Sequence, residues 1–278
     1  MSERNNNQAI IGSILAILVG AFIAWAGSDG GDHLAALPVF ALCGALAFAV
    51  NWLAFVPAAI KQTEHYYDLT GGITYITVTV VAVLFSSSLD LRSAIVAGMV
   101  LFWSVRLASF LFLRISRAGK DGRFDEIKKE PTRFFLAWTL QGLWVLLTAA
   151  TALAVITGGN REPLGFLGYI GIAVWVIGIL IEIVADQQKS AFRADPANKG
   201  KFIDTGLWAW SRHPNYFGEI VLWTGVAIIA IPVLEGWQWA TLISPVFVTF
   251  LLTKVSGIPM REKSAGDRGG GRDGGGGC

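Results

Sequence analysis

Eight apolar segments of membrane-spanning length constrain this chain more than any other feature. Each is near the roughly 17–25 residues that an α-helix needs to cross a bilayer. Only 15% of the residues are charged, whereas a soluble domain has about 25%. We therefore predict an all-α, polytopic integral membrane helix bundle of seven to eight transmembrane helices, formed by a single domain at 1–263. The segments lie at about 8–27, 36–60, 72–88, 91–115, 134–157, 164–185, 217–233 and 238–255.

Basic residues follow a one-sided pattern along the connections between these segments. The connections on one side hold 17 lysines and arginines, whereas those on the other side hold only Arg161. The positive-inside rule then places both termini and the basic connections in the cytoplasm. Polar clusters in two of these connections would share one membrane face and could build one site. The basic connections are 1–7, 61–71, 116–133, 186–216 and 256–278.

The remaining composition argues against a signal peptide, a metal site and nucleic-acid binding. A net charge of +2 is too small to indicate a nucleic-acid partner. Cys43 and Cys278 offer neither a disulfide framework nor metal-ligand spacing. We interpret 8–27 as a retained helix, because no convincing cleavage site follows it. The Gly-rich residues 264–278 lack core-forming side chains, which predicts a disordered tail.

Glu182 and Asp186 lie four residues apart at the end of the sixth segment. On a helix this spacing puts both carboxylates on one face, where they repel each other unless a donor-rich ligand or a cation lies between them. Ribose hydroxyls or an adenine amine would be suitable donors. Basic residues that follow could neutralise phosphates; the alternative is a helix end with solvated charges. These basic residues are Lys189, Arg193, Lys199 and Lys201.

The segment Arg212–Glu219 combines a cation, an imidazole, an amide, a phenol and a carboxylate within eight residues. Pro214 is typical of a first helical turn, whose free N–H groups favour anions. Because a carboxylate inside an apolar segment is a functional candidate, Glu219 is of particular interest. The alternative is an interfacial anchor of aromatic and basic side chains. The candidate ligand-binding residues are Arg212, His213, Asn215, Tyr216 and Glu219.

A third polar cluster, Gln62, Glu64, Tyr66 and Tyr67, precedes the third segment. A carboxyl group near the lipid boundary can remain protonated, because desolvation disfavours its charged form. Glu64 could then polarise a carbonyl group, helped by Gln62 or by a tyrosine. The alternative is a polar loop with an aromatic belt and a helix cap.

Arg106 lies within the apolar stretch 101–113. An arginine inside a membrane segment requires a partner. We expect a structural ion pair with Glu64, Glu182 or Glu219, and a bound ligand is the alternative.

These residues resemble a known family, the bacterial membrane proteins related to steroid 5-alpha-reductases (3-oxo-5-alpha-steroid 4-dehydrogenases). The resemblance runs from about Lys61 to Glu262 and is most specific over Glu182–Glu219. It implies a helix bundle in a bacterial inner membrane that encloses NADPH. It also implies reduction of the Δ4 double bond of a 3-oxo-Δ4 steroid, or of a similar lipophilic enone, that enters from the bilayer. We expect this substrate and membrane lipid as partners, and a monomer.

The resemblance assigns roles to individual residues. Asp186 and Arg193 match positions that bind the adenosine and phosphate part of NADPH. Asn215 matches an amide at the nicotinamide end, and Glu219 matches a carboxylate beside it.

A Gln-Glu pair that approaches the steroid carbonyl in the human enzymes has its nearest match in Gln62 and Glu64, with one residue inserted. Trp103 aligns with a tyrosine of the human type, so Tyr66 or Tyr67 would have to supply the second donor.

Three departures from the family pattern concern the cofactor. Glu182 replaces an amide, and Lys201 stands near a family arginine. The usual C-terminal segment is missing after Glu262. Its contacts would be lost or supplied by Lys254, Arg261 or Glu262.

The core Arg212–Gly218 also resembles membrane methyltransferases of the isoprenylcysteine and phospholipid type, which bind S-adenosylmethionine. Asp186, Arg193 and the donor-rich cluster around Glu64 favour a phosphate-bearing cofactor and a carbonyl substrate instead. A membrane scaffold or transporter is a third possibility, and it would leave the clustering of these polar residues on one face unexplained.

Overall fold

Seven long helices dominate the computed structural model, which describes residues 2–118 and 124–255. All seven are long and apolar enough to cross a membrane, which confirms the all-α membrane bundle. They are α1 (Ser2–Gly27), α2 (Val39–Lys61), α3 (Tyr67–Phe85), α4 (Leu91–Ala118), α5 (Pro131–Thr157), α6 (Phe166–Ala194) and α7 (Pro214–Ala230).

The last apolar segment of the sequence is helical but interrupted. A 3-10 turn at Gly236–Leu242 leads into α8 (Ile243–Phe250), and a π-helical turn follows at Leu251–Val255. Among the described residues, the only strands form a two-residue hairpin between α1 and α2, with β1 (His33–Leu34) antiparallel to β2 (Leu37–Pro38).

Several helices extend beyond the predicted apolar segments, and two of these extensions reach the polar clusters. Helix α3 begins at Tyr67, five residues before the predicted start, and α6 continues to Ala194, nine residues beyond the predicted end. Hydropathy predicts only the part of a helix that can contact lipid. The helical backbone hydrogen bonds continue into the polar region at the membrane boundary, so the helices are longer than the apolar segments. As a result, Glu182 and Asp186 lie on one continuous helix with Arg193.

Helix ends follow the local sequence. Helix α7 begins at Pro214, as predicted, and α5 begins at Pro131; proline lacks the N–H that a first helical turn leaves unpaired. Helix α2 ends at Lys61 and is capped by Gln62, whose φ of 49° is left-handed and whose N–H donates to the carbonyls of Ala58 and Ala59. This cap turns the chain into the short connection that carries Glu64.

The chain divides into two compact units. Unit 1 comprises the residues up to Tyr169 together with Val226–Ser244, and unit 2 comprises Ile170–Gly225 together with the residues from Pro245. Within unit 1, α5 is buried along most of its length and packs against α1, α2, α3 and α4. The surrounding helices expose large apolar side chains such as Leu53 and Leu84, as lipid contact requires.

Arg161, the exception in the charge pattern, is a structural tie within unit 1. Its guanidinium lies 3.3 Å from the Asp32 carboxylate and 3.6 Å from that of Asp90. It also donates hydrogen bonds to Ser86 and Ser93. These partners come from the connection between α1 and α2, from the connection between α3 and α4, and from the start of α4, so one side chain joins three parts of the chain.

Both carboxyl groups of this network favour the ionised form. Burial raises the pKa of Asp32, but hydrogen bonds from Ser87 and Ser86 and the charge of Arg161 outweigh burial, so the pKa is lowered. The pKa of Asp90 is lowered in the same way, by Ser93 and Arg161 against burial. The network therefore stabilises the fold above the carboxyl pKa of the unfolded chain, and this contribution is lost as pH falls through the lower folded values.

Replacing Arg161 by Met should destabilise the protein by about 3 kcal/mol, because two largely buried carboxylates would lose their cation. Thermal unfolding of the purified protein in detergent measures the change. Lys129→Met is the matched control, since its ion pair with Glu126 is exposed and should contribute less than about 1 kcal/mol. Equal melting temperatures for the two variants would contradict the role given to Arg161.

Candidate functional site

Helices α6 and α7 are in backbone contact at glycines within unit 2. A Cβ atom on Gly218 would lie 2.7 Å from the backbone nitrogen of Glu182, and one on Gly178 would lie 2.4 Å from that of Leu222. One on Gly225 would lie 2.6 Å from the backbone nitrogen of Trp175. Any side chain at these positions would force the helices apart, so the glycines fix how close the two helices lie.

This close contact places the predicted carboxylate pair beside the start of α7. Glu182 is 2% exposed and Asp186 is 7% exposed, and the Asn215 amide nitrogen lies 3.4 Å from Asp186 Oδ1. The amide oxygen of Asn215 is buried and has no hydrogen-bond partner among the described residues. Buried polar groups of this kind are suited to bind a ligand that carries both hydroxyl and amide groups.

The connection after α6 is docked onto that helix by Trp208. Its indole N–H donates to the Ala185 carbonyl at 3.0 Å, and the Lys189 ammonium lies 4.2 Å from the ring centre, a cation–π contact. The Gln188 side chain accepts a hydrogen bond from the Leu207 N–H. The sequence drew attention to this segment as a polar block, but the anchoring role of Trp208 and Gln188 was missed.

Exposed basic side chains lie in the last turn of α6 and in the connection that follows it. Arg193 lies in its last turn, and Lys201 and Arg212 are exposed in the connection to α7. Because their charged ends are accessible to solvent, they can bind an anionic ligand with little desolvation cost. From the last turn of α6 to the start of α7, the exposed basic residues are Arg193, Lys199, Lys201 and Arg212.

The start of α7 orders three of the remaining predicted residues. The His213 and Tyr216 rings are stacked, with centres 5.1 Å apart and planes 7° from parallel. Glu219 lies one turn after Asn215 and is half-buried. Unit 2 therefore brings Glu182 and Asp186 together with Asn215.

Within unit 1, two of the four predicted donors are buried and the other two are exposed. Glu64 is 4% exposed and Tyr67 is buried, with its hydroxyl donating to the Ala137 carbonyl at 2.9 Å. Tyr66 is 56% exposed, and the exposed Gln62 side chain folds back to donate to the Ala59 carbonyl. The Gln62 side chain thus contributes to the cap of α2.

Sequence reasoning missed Lys128, which forms an ion pair with Glu64. Its ammonium nitrogen lies 2.7 Å from Glu64 Oε2, and this hydrogen bond raises the pKa of Lys128. The ion pair favours the ionised carboxylate, whereas the sequence suggested a protonated one. Because the partners are 64 residues apart, no local spacing in the sequence predicts the pair. The sequence showed only that the connection 116–133 is basic.

Two buried amides near α3 were also missed. Gln141 on α5 donates to the Tyr67 carbonyl at 3.0 Å, and Asn51 on α2 donates to the Thr74 hydroxyl at 3.3 Å. Neither amide oxygen has a hydrogen-bond partner among the described residues. The sequence feature that could have identified them is a single amide residue within an otherwise apolar segment.

The remaining residues that the sequence singled out lie on α4 or near the C-terminus. Arg106 is half-buried on α4, and its expected ion pair stays a prediction. Trp103 is buried, and the Tyr75 ring lies edge-on to it with ring centres 5.0 Å apart. Lys254 is exposed, whereas Arg261, Glu262 and the tail at 264–278 lie outside the described residues.

The helices and buried polar clusters define a polytopic membrane protein with a candidate ligand site. Residues 54–273 match the family described as "Protein of unknown function (DUF1295)". The chain therefore belongs to this family. No solved structure matches it.

Three curated proteins are similar over parts of their length. An uncharacterized protein, C594.04c, of Schizosaccharomyces pombe is 24% identical over 48% of this chain and 46% of its own. The probable O-methyltransferase ustE of Ustilaginoidea virens is 30% identical over 35% of this chain and 34% of its own. Bovine 3-oxo-5-alpha-steroid 4-dehydrogenase 1 is 36% identical over 25% of this chain and 27% of its own. The chain thus matches less than half the length of each relative.

Replacing Gly218 by Ala should lower the melting temperature, because the added methyl group would press on the backbone of α6. Overpacking of this kind costs about 1–3 kcal/mol. Gly98→Ala on α4 is the matched control, since a Cβ atom there meets nothing within 4 Å. If thermal unfolding in detergent gives both variants the wild-type stability, the α6–α7 contact is not as tight as described.

Proposed function

We propose that this protein is an NADPH-dependent reductase that reduces the conjugated carbon–carbon double bond of a lipophilic enone. A 3-oxo-Δ4 steroid is the model substrate. The observation that carries the proposal is the buried group Glu182, Asp186 and Asn215, followed by exposed basic residues in the same unit.

The residues of unit 2 fit the chemical groups of NADPH. Glu182 and Asp186 can accept hydrogen bonds from ribose hydroxyls and from the adenine amine. The exposed arginines and lysines can pair with the phosphates. The unpaired amide oxygen of Asn215 suits the amide N–H of a nicotinamide, and Glu219 lies on the same face one turn later.

The residues around Glu64 supply the carbonyl-binding part of the proposal. When bound, NADPH supplies the hydride that reduces the double bond. Negative charge then develops on the carbonyl oxygen, and hydrogen-bond donors placed at that oxygen stabilise it. The Glu64–Lys128 pair provides charged groups at 2.7 Å from each other, and the exposed Tyr66 is the second donor.

Similarity to the bovine steroid dehydrogenase supports this function. The 36% identity covers 25% of this chain, so the choice of steroid, the cofactor and the site residues are proposals. Seven apolar helices support an integral membrane protein. We further propose that the protein is a monomer in a bacterial inner membrane, with both termini and the cofactor site in the cytoplasm. The substrate enters from the bilayer, and membrane lipid is the other partner.

Methyl transfer from S-adenosylmethionine is the second candidate function. The match to a probable O-methyltransferase favours it, and two buried carboxylates could bind a cationic cofactor. S-adenosylmethionine has no phosphate, however, so this function would give no ligand to the exposed basic residues between α6 and α7.

NADPH should raise the melting temperature of the purified protein in detergent, because a ligand that binds only the native state stabilises it. At a concentration of 100 times Kd the gain is about 2.7 kcal/mol. NADH should stabilise less, since it lacks one phosphate. Stabilisation by S-adenosylmethionine alone would overturn the reductase proposal.

Two substitutions should separate cofactor binding from turnover. Arg193→Ala should weaken NADPH binding by removing a phosphate partner, whereas Glu64→Gln should leave NADPH bound and lower turnover about a hundred- to a thousand-fold. Binding is measured by titration and turnover by enone-dependent NADPH oxidation. Arg133→Ala is a control for lost positive charge, since Arg133 pairs with Glu130 in its own helical turn. A Glu64→Gln variant as active as wild type would exclude the role of Glu64.

A further inference from the structure

We infer that Lys128 donates the hydrogen bond to the carbonyl oxygen of the substrate, and that Glu64 is a positioning residue that holds Lys128 in place. This inference rests on the proposed function and assigns the donor within it.

The geometry leaves the Lys128 ammonium able to bind a further acceptor. An ammonium group has three N–H donors. Glu64 Oε2 lies at 2.7 Å and Asp125 Oδ1 at 3.6 Å from the ammonium nitrogen, so these two carboxylates engage at most two donors. The Lys128 side chain is 21% exposed and that of Glu64 is 5% exposed, so the lysine is the more accessible partner.

The chemistry of the pair favours Lys128 over Glu64 as donor. An ionised carboxylate only accepts hydrogen bonds, and a carbonyl oxygen also only accepts them. The hydrogen bond to Glu64 raises the pKa of Lys128, so its ammonium stays charged through neutral pH. A charged donor stabilises developing negative charge more strongly than a neutral one.

Chain neighbours of both residues belong to an apolar aromatic cluster. Tyr67 packs against Phe124 at 4.8 Å and Trp138 at 5.1 Å between ring centres, and Ile127 packs on the same cluster. Lys128 lies in the 3-10 turn Ile127–Lys129, so its backbone is anchored beside Phe124.

The two possible donors predict different pH profiles. If Lys128 is the donor, turnover by the wild type should not fall between about pH 6 and 9, because the ammonium remains charged there. If a protonated Glu64 were the donor, turnover would fall as pH rises through its pKa. In that case Lys128→Met would extend activity to higher pH, because losing the cation favours the protonated carboxyl.

The experiment combines turnover with the infrared carbonyl band of a bound, carbonyl-labelled 3-oxo-Δ4 steroid. Donation lowers the carbonyl stretching frequency. Lys128→Met should abolish this shift and reduce kcat/KM about a hundred- to a thousand-fold, and Lys128→Arg should restore part of both. Lys129→Met, one residue away with an exposed ion pair, should match the wild type.

Each outcome decides between the alternatives. Lys128→Met removes a cation from beside the buried Glu64, so the double variant Lys128→Met/Glu64→Gln provides a version of this pair without charge. Retention of the wild-type carbonyl shift and turnover by either variant overturns the inference while the proposed function stands. A wild type that neither oxidises NADPH with enone nor shifts the carbonyl band overturns both.

Discussion

The cost of placing charge within a membrane bundle constrains where charged residues can lie in unit 1. Two sets of paired charges lie near the two ends of α3. At one end Glu64 is paired with Lys128, and beyond the other Arg161 is held by Asp32 and Asp90. Since an unpaired ion in a low-dielectric environment is strongly destabilising, each charge requires its partner, and these partners bring together segments that are distant in sequence.

Much of the fold could be predicted because hydropathy and helix geometry are local properties. The apolar segments located the helices, Pro214 marked the start of α7, and the four-residue spacing of Glu182 and Asp186 placed both in the buried polar group beside Asn215. The interruption of the last apolar segment by 3-10 and π turns was not visible, since hydropathy does not distinguish these helical forms.

The details of the donor cluster could not be predicted for the opposite reason. Lys128 reaches Glu64 from 64 residues away, and Gln141 reaches the Tyr67 carbonyl from 74 residues away. Gln62 was expected to help Glu64, but a left-handed backbone at the end of α2 directs its side chain to its own helix. Sequence spacing identifies the chemical groups, whereas tertiary contacts determine which of them meet.

The position of Arg161 has a consequence for how the chain is made. Synthesis proceeds from the N-terminus, so Asp32 is complete 129 residues before its partner, and Asp90 is also made before it. A nascent chain that has reached only α5 carries both carboxylates without their cation. The network can close only once the connection to α6 has been synthesised, so both carboxylates gain this cation after α5 is complete.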